Sequence, residues 1–144
     1  MIEGTILLVD DNPDDVTLTL RAFRTNNITN QVDVVSDGEE ALNYLLPAGE
    51  SRPKPVLILL DINLPKVSGL EVLRRIRTDD RTRYVSVVVL STSSEDRDIV
   101  ESYNLGANSY VRKPVVFTEF VDAVRVLGLY WLLVNQPILP PRGG

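Results

Sequence analysis

The chain has 144 residues, 44% of them hydrophobic, and a formal net charge of -5, which suits one domain with a substantial core. It contains neither cysteine nor histidine, which removes disulfides, thiolate nucleophiles, Cys- or His-ligated metals, His general bases and Ser-His-Asp triads, leaving carboxylates, Lys, Tyr and hydroxyls to carry chemistry. The acidic balance without Lys/Arg clusters argues against nucleic acid as a partner, and no apolar run reaches the roughly 18 residues of a membrane span, so a cytoplasmic protein is expected.

In chain order, Thr5-Ile6-Leu7-Leu8-Val9 is a short aliphatic run that ends in Asp10 and Asp11. Asn12-Pro13-Asp14-Asp15 reads as a helix start: Asn as N-cap, Pro at the first helical position, two acids favoured by the helix dipole. Val16, Leu20 and Phe23 supply its apolar face to about Thr25. Gln31 to Val35 alternates only partly and predicts a strand near a sheet edge. Ser36 and Glu39 have capping-box spacing and open a helix with Ala41, Leu42, Leu45 and Leu46 inward.

Val56-Leu57-Ile58-Leu59-Leu60 is bounded by prolines and delivers Asp61 to the turn Ile62-Asn63-Leu64-Pro65. Such a run suits a strand buried on both faces of a parallel sheet, and ligands bind beyond the carboxyl ends of those strands. On this stretch alone two readings stand: Asp61 is a reactive group, or it only hydrogen-bonds turn amides. Ser68 and Glu71 repeat the capping-box spacing ahead of Leu70, Leu73 and Ile76, and Arg77 to Arg83 reads as a solvated charged loop. Val87 to Leu90 is a further buried-type strand, ending in Ser91-Thr92-Ser93-Ser94. A helix from Glu95-Asp96 stops near Gly106, and Ser109 to Arg112 is a last strand delivering Lys113-Pro114. Five alternating strand-helix units with right-handed crossovers give a parallel α/β sheet with helices on both faces.

The strand ends bring together Asp10, Asp11, Asp61, Ser91 and Lys113. Carboxylates at one rim repel unless their pKa values rise or a hard cation joins them, and oxygen-only ligands point to Mg2+ or a similar ion. Lys113 suits a phosphate or a developing phosphoryl oxygen. The set describes phosphoryl transfer to a carboxylate. The plainer readings are that Asp10-Asp11-Asn12 caps a helix, that Lys113 is a surface lysine and that Tyr110 is half-buried packing.

Leu8-Val9-Asp10-Asp11-Asn12, Asp61-Ile62-Asn63-Leu64-Pro65 with Ser68-Gly69, Val89-Leu90-Ser91-Thr92 and Lys113-Pro114 resemble the ordered motifs of the response-regulator receiver domains of two-component signalling. Ser91 lies 30 residues beyond Asp61 and Lys113 lies 22 beyond Ser91, intervals that also agree with that family. The resemblance covers residues 5 to about 127. It implies a flavodoxin-like (βα)5 doubly wound sheet of five parallel strands in the order 2-1-3-4-5. Asp61 would be the phosphoacceptor, with Mg2+ held by Asp10 (through water), Asp11, Asp61 and the backbone carbonyl of Asn63. Lys113 would pair with the phosphoryl group, Ser91 would be the switch hydroxyl with Thr92 as the competing register, Tyr110 would be the switch aromatic and Ser93 would tune hydrolysis.

Residues 1-128 are expected to form the receiver, with 129-144 as an extension of the last helix and a Pro-rich tail. That helix carries a second apolar stripe with nothing inside the domain to cover it: Val126, Leu129, Tyr130 and Leu133, with Trp131 beside it. A homodimer surface is expected there, the other reading being a tail folded back on its own domain. With no output domain after Trp131, the signal is expected to leave through protein contacts or a phosphorelay. The long tail resembles single-domain regulators that partner phytochrome-type or other sensor histidine kinases. The functional expectation is a phosphorylation-dependent response regulator, not an enzyme. Two rivals are a phosphorylation-independent interaction module of the same fold, and a metal-dependent phosphohydrolase, which would need an acid where Asn63 stands.

Overall fold

Uninterrupted aliphatic strands demand cover on both faces, and the structure, a computed structural model, supplies it. It describes residues 4–25, 28–48, 54–91 and 95–112. Over these the chain runs β1 (Ile6–Val9), α1 (Pro13–Thr25), β2 (Val32–Val35), α2 (Gly38–Leu45), β3 (Leu57–Asp61), α3 (Gly69–Thr78), β4 (Ser86–Ser91), α4 (Asp96–Asn104) and β5 (Ser109–Arg112). The strands are parallel, in the order β2-β1-β3-β4-β5. This is the expected doubly wound sheet. The extended last helix and tail, with Lys113 and Val126 to Leu133, lie outside the described residues.

Period-two alternation divides each central strand between two cores. Leu7, Val9, Ile58, Leu60, Val87 and Val89 pack with Ala41 and Leu45 of α2 and Val72, Leu73 and Ile76 of α3. Ile6, Leu8, Leu57, Leu59, Val88 and Leu90 face the other way, against Ala22 and Phe23 of α1. Each fully buried Leu or Val contributes roughly 1.5 to 3 kcal/mol, so the central strands form the rigid base of whatever follows them. The edge strand β2 is only half-buried, with Val34 exposed, as its partial alternation predicts.

The caps are mostly where the sequence puts them. Asn12 Oδ1 accepts from the amides of Asp14 (2.9 Å) and Asp15 (3.2 Å), and Ser68 Oγ accepts from Glu71 N (3.2 Å). Gly106 takes a positive φ of 100° and closes α4, with Ala107 N donating to Ser102 O and Gly106 N to Tyr103 O. Three expectations need correction. The N-cap of α2 is Asp37, not Ser36: Asp37 Oδ1 accepts from Glu40 N (2.8 Å), and Glu40 reaches back to the amide and hydroxyl of Ser36. In α1 the buried positions are Thr19, Ala22 and Phe23, while Leu20 is half-buried; Thr19 is tolerated because its hydroxyl donates to Asp15 O (2.8 Å).

The third correction concerns Arg77, which is not solvated loop but the last turn of α3. Its half-buried guanidinium donates to Gly106 O (2.8 Å), Val85 O (2.6 Å), Arg83 O (3.0 Å) and Asn108 Oδ1 (2.8 Å). Asn108 Oδ1 also accepts from Val87 N (2.8 Å). One planar fork thus ties α3, the start of β4 and the α4–β5 turn together. Replacing Arg77 by Ala strands several of these acceptors and is expected to lower stability by about 2 to 3 kcal/mol. Urea unfolding checks this, and Arg77→Lys, lacking the fork, should recover only part of the loss.

Candidate functional site

The sheet register decides which side chains meet. Val9 pairs with Leu60, so Asp10 comes level with Asp61, and Asp61 itself pairs with Leu90, one residue before Ser91. The carboxylate oxygens of Asp10, Asp11 and Asp61 lie within 4.8 Å of one another. Asp10 and Asp61 are 2% and 7% exposed, whereas Asp11 faces solvent. The turn hydrogen bonds of the plainer readings are present. Asp10 Oδ1 accepts from Asn12 N (3.0 Å) and Asp61 Oδ1 from Asn63 N (2.9 Å). These turn bonds aim the carboxylates as well as satisfying amides, and Asp10 N is anchored on Val35 O (3.1 Å).

Two buried carboxylates at this separation repel on the order of 3 kcal/mol at an effective dielectric near 20. A third acid adds to that. A hard divalent cation relieves the repulsion, and a set built only of oxygens is the donor chemistry such an ion takes. The three residues therefore fit a metal on geometry and on chemistry.

What holds Asp61 in place is backbone crowding. Gly69, the first residue of α3, donates to Ile62 O (3.0 Å). A Cβ at Gly69 would stand 2.2 Å from Asp61 O and 2.4 Å from Ile62 Cα. Only glycine lets α3 begin directly against the end of β3, which fixes the turn carrying Asn63. Asn63 is exposed, with its amide on Asp61.

Ser91 is fully buried at the end of β4. By alternation its side chain shares the sheet face of Val87 and Val89. Tyr110, paired with Val89, packs half-buried against the same core, and its amide donates to the Tyr103 hydroxyl (3.2 Å). Ser91 and Tyr110 therefore occupy one face, one strand apart. Lys113, Thr92, Ser93 and the apolar residues Val126, Leu129, Tyr130, Trp131 and Leu133 lie outside the described residues. The spacing of motifs gave no role to Gly38, Lys66 or Arg77. An Asp-Gly pair between a strand and a helix, matched by a Pro-Lys in the turn after Asp61, was the available signal for the first two.

The family description "Response regulator receiver domain" matches residues 6–125. The chain is 42% identical over 132 residues to the probable methanogenesis regulatory protein FilR2 of Methanothrix harundinacea (strain 6Ac), covering 91% of this chain and 85% of that protein. It is 36% identical over 129 residues to response regulator Rcp1 of Synechocystis sp. (strain ATCC 27184 / PCC 6803 / Kazusa), covering 88% of each. The Mn(2+)-bound form of response regulator Rcp1 superposes with a TM-score of 0.85 at 35% identity, over 96% of this chain and 99% of that one. The phosphorylated cyanobacterial phytochrome response regulator RcpA does so with a TM-score of 0.87 at 38% identity, over 94% and 98%.

Crowded carboxylates make a direct prediction for stability. Asp61→Asn removes one charge from the cluster and is expected to raise metal-free stability by about 1 kcal/mol, measured by urea unfolding in chelator. Saturating Mn2+ or Mg2+ at about 100 times its Kd should stabilise the wild type by roughly 2.7 kcal/mol, an increment that shrinks sharply in Asp61→Asn.

Proposed function

Because this chain belongs to the response regulator receiver domain family, we propose that it is a phosphorylation-dependent switch that accepts a phosphoryl group on Asp61. The carrying observation is the convergence of the Asp10, Asp11 and Asp61 carboxylates within 4.8 Å at the carboxyl ends of adjacent strands. Asp61 projects from the most buried part of the sheet and is held by Asn63 N, so one carboxylate oxygen is presented at a fixed place. That oxygen attacks phosphorus as the bond from phosphorus to the donor's imidazole nitrogen breaks, and the released imidazole takes a proton from solvent. Pre-orientation of the nucleophile, with little other covalent work, is what this class of transfer requires.

Asp10, Asp11, Asp61 and the carbonyl of Asn63 would hold Mg2+, which supplies neutralisation of charge on the transferring group. Lys113 pairs with the phosphoryl oxygens. Ser91, at the end of β4, is the hydroxyl that follows the new charge, and Tyr110 is the aromatic that occupies or leaves the same side of the sheet. The protein is an acceptor and not an enzyme in the usual sense. Similarity to the cyanobacterial phytochrome response regulator RcpA supports a sensor histidine kinase of the phytochrome type as donor. No helix among the described residues is long and apolar enough to cross a membrane, and we read the protein as cytoplasmic, acting through protein contacts and not on nucleic acid. The second apolar stripe of Val126, Leu129, Tyr130 and Leu133 with Trp131 is the homodimer surface of this reading.

Wild-type protein incubated with acetyl phosphate and Mg2+ should gain one phosphoryl group by intact mass, and Asp61→Asn should gain none. Equal modification of both proteins would overturn the assignment of Asp61. Sizing with and without beryllium fluoride, beside a truncation at Gly128, tests the dimer: a monomer in every state removes it.

A further inference from the structure

The turn that follows Asp61 is gripped from two sides. One grip is Gly69, within its own unit. The other comes from α2, whose first residue, Gly38, donates to Pro65 O (3.4 Å). A Cβ on Gly38 would stand 2.0 Å from Val67 O, 2.7 Å from Val67 C and 2.8 Å from Val67 Cβ. The nearest obstacles are backbone, which cannot swing aside as a side-chain tip can. Gly38 is therefore glycine for space.

Charge reinforces the contact. Asp37 uses Oδ1 to cap α2 and turns Oδ2 toward Lys66 Nζ (3.6 Å), which also lies 3.8 Å from Glu39. Lys66 is the single non-glycine residue with positive φ (66°) among the described residues. A non-glycine residue in that conformation is held there by its surroundings, and here the surroundings are the Asp37-Gly38-Glu39 end of α2. Pro65, Lys66 and Val67 lie between Asn63 and Ser68, so the backbone that carries the Asn63 carbonyl is continuous with the segment resting on Gly38.

We propose that Gly38 is a positioning residue for the phosphoacceptor site: by letting the Pro65–Val67 backbone seat on the N-terminus of α2, with Lys66 latched to Asp37 and Glu39, it sets where the Asn63 carbonyl stands for the cation. This rests on the reading that Asp61 and the Asn63 carbonyl serve a divalent ion. Gly38 touches neither ion nor phosphoryl group and acts through the turn.

Two explanations of Gly38 make opposite predictions. If it matters only to α2, Gly38→Ala swaps a poor helix former for the best one and should leave stability unchanged or higher, with cation affinity intact. If it seats the turn, Gly38→Ala should raise the Kd for Mg2+ about tenfold or more, as loss of supporting groups around metal ligands does. The measurement is Mg2+ titration by calorimetry of wild type, Gly38→Ala, Lys66→Ala and Asp61→Asn, with unfolding in chelator as the control for fold. Lys66→Ala should weaken Mg2+ by about twofold to threefold at low salt and by nothing at high salt, as an exposed ion pair does. A wild type that binds no Mg2+ sinks the metal reading itself. A wild type that binds, beside a folded Gly38→Ala that binds equally well, sinks the positioning role alone. Should Gly38→Ala not fold, the amide resonances of Asn63 and Val67 in Lys66→Ala decide: their displacement supports the seat, and their coincidence with wild type overturns it.

Discussion

Burial of the central strands on both faces is the constraint on which the rest of this structure depends, and it forces like charges together at the rim of the sheet. Asp10 and Asp61 are nearly inaccessible to water and come level because Val9 pairs with Leu60. Neither acid chose that proximity. The aliphatic strands beneath them are buried on both faces, and the gain from burying Leu7, Leu8, Leu59 and Leu60 fixes a register that the acids must accept. Core packing thereby holds a charge arrangement that would disperse if the ends were free. A divalent cation is the species whose charge complements such an arrangement.

Much of this was readable from the chain. Aliphatic runs closed by Pro, Asp or Ser announce buried strands, and the alternation of five such runs with helical stripes leaves few topologies. The Asp10-Asp11 and Asp61 positions follow from the same runs, because an acid after a buried strand is at the sheet's rim wherever the strand sits in the order. Asn12 and Ser68 are caps whose chemistry is local, so sequence suffices for them.

What was not readable depended on competition or on distance. Ser36-Glu39 and Asp37-Glu40 have the same spacing and equally good capping chemistry, so spacing alone does not choose between them, and Asp37 is the cap. The need for glycine at position 38 comes from a turn nearly 30 residues away, where Val67 O passes. Arg77 looked like one charge in a run of charges, since nothing local distinguishes an arginine that reaches Gly106 and Asn108 from one that reaches water. Composition favours Leu20 over Thr19, because a hydroxyl that bonds its own helix is indistinguishable in the sequence from one that faces solvent.

The guanidinium of Arg77 sits at the opposite rim from the acids, where β4 starts at Ser86 and β5 is about to start at Ser109. It pins Val85, Gly106 and Asn108 to the end of α3. β4 is thereby tied down at its foot, with Ser91 at the other end of its six residues, so its register with the edge strand β5 is fixed from the end that lies farthest from the acids.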